Sequence, residues 1–132
     1  MKKNVLLEFE SAAFADSPGA DQHTNPGVVG KALAQWLAEQ LRAQGLIVGQ
    51  VVAEDFGWLV PVEAKPHLLF VACANAEETN NRWRVFTFAE SGLLSRLFGR
   101  DNSAEPLAFL FAAVKQALQS DPAIQGLREV AA

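Results

Sequence analysis

The chain has 132 residues, 50% of them hydrophobic and 20% charged, with one cysteine and a formal net charge of −4. That length predicts a single domain over residues 1–132, able to bury a core without disulfide or metal; one cysteine excludes an internal disulfide framework and fits a reducing compartment. The acidic balance argues against a protein whose main task is to coat nucleic acid or an anionic membrane.

At the N-terminus, Met1-Lys2-Lys3 ahead of Val5-Leu6-Leu7, with Ala13-Phe14-Ala15 further on, imitates a secretion signal. Glu8 and Glu10 cut the apolar run far short of the roughly 7–15 residues that a signal needs. No stretch approaches the roughly 18 uninterrupted apolar residues of a membrane span. A cytoplasmic protein with no membrane contact is expected.

Residues 4–10 alternate, with Val5, Leu7 and Phe9 on one face and Leu6, Glu8 and Glu10 on the other, which predicts a half-buried strand. Residues 16–25 are turn formers and predict a polar loop. Asn25-Pro26 then reads as an N-cap with proline at the first helical position. Val29, Leu33, Trp36, Leu37 and Leu41 recur at helical spacing, and Gly45 supplies the stop.

Four strand-like runs follow, at 46–54, 56–63, 67–74 and 82–89, joined at Asp55-Phe56-Gly57, at Pro66 and through the polar stretch 75–81. Gaps this short cannot hold crossover helices, so the strands are antiparallel neighbours. Leu93, Leu94, Leu97 and Phe98 suggest a short helical turn ending at Gly99. A second helix is expected after a cap at Asn102 or Ser103, with Pro106 in its first turn and Leu107, Leu110, Phe111, Val114 and Leu118 as its core stripe. Asp121-Pro122 ends it, and residues 127–130 suggest a short final strand or turn.

The fold class that follows is α+β: an antiparallel sheet of about five strands with two amphipathic helices packed on one face. The element order β-α-β-β-β-β-α resembles one half of the TATA-box-binding-protein fold and, more loosely, the helix-grip fold. A likeness of element order carries no function.

The candidate chemistry is sparse. Asp16, Asp21 and His23 offer two carboxylates and an imidazole, an alternative ligand site, but their spacing matches no known metal or catalytic pattern. A solvated loop with capping side chains explains them as well. His67 reads as a strand-end surface residue. Cys73 sits among aliphatic residues, which raises a thiol pKa and suits a core position rather than a nucleophile. The scattered glycines at 27, 30, 45, 49 and 57 do not read as a phosphate cradle. Glu54-Asp55 reads as a hairpin tip, with Phe56, Trp58, Val60 and Val62 on one apolar face directed at the helices.

The strongest candidate is Arg82-Trp83-Arg84. Arg82, Arg84, Phe86 and Phe88 share one face of the strand, and Trp83, Val85 and Thr87 the other. Both sets are apolar enough to face the core, so the buried face stays open. Arg82, Arg84, Arg96 and Arg100 stand against Glu90 alone within 82–100, a basic segment inside an acidic chain. Arginine suits bidentate recognition and protein interfaces. Arg82, Trp83, Arg84, Arg96, Leu97, Phe98 and Trp58 are therefore the candidate binding residues, with no catalytic residues, metal ligands or cofactor expected. The reading is a non-catalytic interaction module, binding another protein or itself. The alternative is a small-molecule binder or enzyme using the sheet–helix cleft, with the arginines at its mouth. Single-stranded nucleic acid has matching residue types in Arg82-Trp83-Arg84, but the net charge ranks it last.

Overall fold

The computed structural model describes residues 5–14, 30–65, 67–76, 81–90 and 104–131. In chain order these form β1 (Val5–Glu10), α1 (Lys31–Ala43), β2 (Ile47–Val48), β3 (Val52–Glu54), β4 (Gly57–Ala64), β5 (His67–Asn75), β6 (Arg82–Ala89), α2 (Ala104–Ser120) and β7 (Gln125–Ala131). The strands make one sheet in the order β2-β4-β5-β6-β1-β7, with β3 also on β4. Every pairing is antiparallel. Two-residue joins explain much of this, since Glu54 pairs with Gly57 and Ala64 with His67. β1 then enters between β6 and β7, which leaves β7 as the edge strand on that side of the sheet.

Both helices cover the same face. α1 buries Leu33, Ala34, Leu37, Ala38 and Leu41, and α2 buries Leu110, Ala113, Val114, Ala117 and Leu118, each set at three- and four-residue spacing. They close over Leu7, Phe9, Val60, Val62, Leu69, Val71, Trp83 and Val85 from four strands. Each large side chain removed from water there contributes about 1.5–3 kcal/mol, so the helices are held by their stripes rather than by propensity.

The α+β class, the antiparallel sheet and the two helices on one face are as expected, but the sheet has seven strands rather than five. The expected strand at 46–54 is two, because residues 49–51 bulge from the edge and the pairing with β4 slips by one residue between Val48 and Val52. Pro61 accounts for the break. Its carbonyl accepts from the Gly49 N–H at 2.9 Å, yet it has no N–H of its own to return along that edge. The suggested terminal strand is present as β7.

α1 begins at Lys31, with Gly30 as its N-cap at φ 127°. The Asn25-Pro26 cap itself lies outside the described residues, as do Val29, the loop 16–25, the turn at 93–98 and the caps at 102–103. Gly45 stops α1 as expected. At φ 93° it lets its own N–H reach the Arg42 carbonyl and the Leu46 N–H reach that of Leu41, the paired bonds of a Schellman ending. In α2 the stripe is shifted: Leu107 and Phe111 are only half-buried, and Ala113 and Ala117 take the deeper positions.

Candidate interaction surface

The register decides which face of β6 is buried. Trp83 pairs with Phe9, and Val85 with Leu7 and Cys73; all five are core residues, with Trp83 and Val85 wholly inaccessible. Arg82, Arg84, Phe86 and Phe88 consequently lie on the outer face, away from both helices. Arg82 and Arg84 therefore do not line the mouth of a sheet–helix cleft.

The outer face has two halves. In one, Arg84, Glu8 and Arg128 stand abreast on β6, β1 and β7. Arg84 Nε donates to Glu8 Oε2 at 2.6 Å and Arg128 Nη2 to Glu8 Oε1 at 2.7 Å, so the two guanidinium groups share one carboxylate. Next along the strands, Arg82 Nη2 donates to Glu10 at 3.3 Å. Glu8 is buried beneath its partners, and the hydrogen bonds from Arg128 and then Arg84 hold its carboxyl below the usual range despite the cost of desolvation.

In the other half, β4, β5 and β6 align Leu59 with Ala72 and Phe86, and Pro61 with Phe70 and Phe88. Phe70 stacks on Phe88 at 5.2 Å between ring centroids, Phe88 meets Phe86 at 6.1 Å, and Phe86 meets Phe56 at 6.3 Å. This row of four rings corrects the expected place of Phe56. It occupies the β3–β4 turn, where strand alternation no longer applies, and it leans over the outer face, 48% exposed.

The tryptophans behave differently from the expectation that they belong to one binding patch. Trp83 is a core residue whose Nε1–H donates to the Ser11 carbonyl at 3.1 Å. Its ring offers no accessible face for stacking a base. Trp58 is 94% buried, under the start of α1, with Lys31 Nζ 5.4 Å from its ring centroid. Its Nε1–H has no acceptor among the described residues. Arg96, Leu97 and Phe98 lie outside the described residues, as do Asp16, Asp21 and His23.

Cys73 is wholly buried in β5 and burial pushes its thiol well up, in keeping with a core position. His67 opens β5, half-buried beside a shallow groove of about 590 Å³ that Ile47, Pro61 and Lys65 also line. Among the described residues no three histidine, cysteine or acidic side chains gather as a metal site would require. No helix there is long and apolar enough to cross a membrane.

Sequence reasoning found the arginines but not what they hold. Glu8 lies 76 residues from Arg84 and 120 from Arg128, so no local spacing connects them. No family model, curated protein or solved structure matches this chain.

Proposed function

We propose that this chain is a single-domain, non-catalytic interaction module of a reducing, cytoplasmic compartment. Its working surface is the outer face of the sheet, and its partner is a protein surface with an apolar centre and an acidic rim. The observation that supports this is the juxtaposition on one face of four phenylalanine rings with Arg84 and Arg128. Aromatic residues and arginine are the types enriched in protein interfaces. Arg84 and Arg128 bring two guanidinium groups to this face, within an acidic chain, which favours acidic groups on the partner. Both arginine side chains remain substantially exposed, 45% and 59%, while Glu8 is covered.

The test uses the full chain as bait, with Phe56→Asp and Arg84→Glu beside it, and measures the molar mass of each alone by light scattering after size exclusion. A specific protein partner, or a dimer, that both variants lose is the expected result. A monomer whose binding partners are the same for all three chains overturns the reading.

A further inference from the structure

We propose that the occupant of the outer face is a second copy of this chain, set face to face about a two-fold axis that runs parallel to the strands between β5 and β6. The inference rests on the reading of that face as the working surface, and it names the partner. Strand register alone lays the face out in rows. One row crosses the sheet as Arg128, Glu8, Arg84, Ala74, Gly57 and Glu54, from β7 to β3. The next holds Val130 and Leu6 on β7 and β1, then Phe86, Ala72, Leu59 and Val52 on β6, β5, β4 and β3. A third sets Phe88 beside Phe70 and Pro61.

Two identical chains related by a two-fold axis meet through the same patch on each, so the patch must complement its own image. A half-turn about this axis reverses every row: β7 comes over β3 of the second copy, β1 over β4, and β6 over β5. In the first row, Arg128, 59% exposed, comes to the exposed Glu54, and Glu8 comes to Gly57 rather than to another carboxylate. In the second, Val130 meets Val52, Leu6 meets Leu59, and the large Phe86 ring lies over the small Ala72. In the third, Phe88 meets Phe70. Phe56, which follows Glu54 into the β3–β4 turn, is brought to the guanidinium end of the other copy, where arginine and an aromatic ring attract one another. Charge therefore meets opposite charge at both rims, and apolar side chains meet across the middle.

The area is sufficient. Six strand positions at about 4.8 Å and the eight residues of β6 at about 3.4 Å make a patch roughly 24 Å on each side. Two such patches take about 1,100 Å² out of water, just past the roughly 1,000 Å² of a specific interface, which sets a dimer of modest affinity. The assembly has four layers, helix–sheet–sheet–helix, with its two sheets about 10 Å apart.

The test is a charge exchange, read by sedimentation equilibrium of the full chain from low micromolar to near-millimolar concentration. Wild type is expected to pass from monomer to dimer across that range. Arg128→Glu and Glu54→Arg should each weaken the dimer by about tenfold, because both symmetry-related pairs turn from attraction to repulsion. An equal mixture of the two variants should recover the dimer, since both pairs of a mixed dimer again join opposite charges, and the double variant should recover it too. Circular dichroism checks that each variant is folded; if Arg128→Glu is not, the weakening by Glu54→Arg alone decides. A wild type that stays monomeric throughout, a dimer indifferent to Glu54→Arg, or a mixture of folded variants that stays monomeric overturns the proposal. A monomeric wild type that still captures another protein, and loses it in Phe56→Asp and Arg84→Glu, overturns the dimer while leaving the outer face as the working surface.

Discussion

The two faces of the sheet solve opposite problems with the same strands. On the helix-covered face, β1, β4, β5 and β6 present apolar side chains that are almost wholly removed from water, and the one satisfied indole donates to backbone. On the outer face, the same strands carry an ion network at one end and an aromatic row at the other, most of it half-buried or exposed. The contrast separates stability from recognition. Changes on the covered face should act on folding, and changes on the outer face on what the molecule meets.

The hardest test of that division is Trp83→Ala. It opens a cavity in the centre of the core and strands the Ser11 carbonyl, so a loss of about 3–5 kcal/mol is expected from denaturant unfolding. If the loss were instead below that of outer-face variants, the division of labour would be wrong. Next in size is Gly57→Ala. A Cβ at that position would sit 2.1 Å from the Cys73 carbonyl oxygen, which forces β4 and β5 apart there. Overpacking of this kind costs about 1–3 kcal/mol, and thermal unfolding in a calorimeter would measure it.

Glu8→Gln should cost less, about 1 kcal/mol, because solvent reaches both arginines and screens the network. Its pH dependence sharpens the point. The Glu8 carboxyl titrates below its ordinary value of 4.5 in the folded chain, so its contribution is present in full above that pH. It is lost as pH falls through the lower, folded value. Between those two pH values wild type should lose stability faster than Glu8→Gln, and parallel profiles would show the network to be idle. Smallest of all is Phe56→Ser, within about 0.5 kcal/mol of wild type in chemical denaturation, since half of that ring is already in water.

What could be read beforehand depended on how local its cause was. The stripe Leu33, Leu37, Leu41 and the alternation of Leu7 and Phe9 are periodic signals within one element, and they located both the helix and the strand. Gly45 and Asp121-Pro122 are punctuation that acts on adjacent backbone, and both hold. β6 is different. Trp83 and Val85 compete with Phe86 and Phe88 for the core, and alternation cannot rank two apolar faces. Only pairing with Leu7, Phe9 and Cys73 decides between them. The break at 49–51 had a legible cause in Pro61, but its effect falls on a neighbouring strand rather than on its own. Phe56 left the expected face because a turn residue has no fixed side. The sharing of Glu8 by Arg84 and Arg128 arises wholly from topology, in that β1 threads between β6 and β7.

The position of Cys73 gives the molecule a clock. It is the only cysteine in the chain, it lies in the middle of β5 with no accessible surface, and its thiolate form is suppressed by burial. A thiol reagent can therefore reach it only when β5 parts from its neighbours. The rate of modification, followed against reagent concentration and denaturant, would report how often the central sheet opens under native conditions, without any label having been introduced.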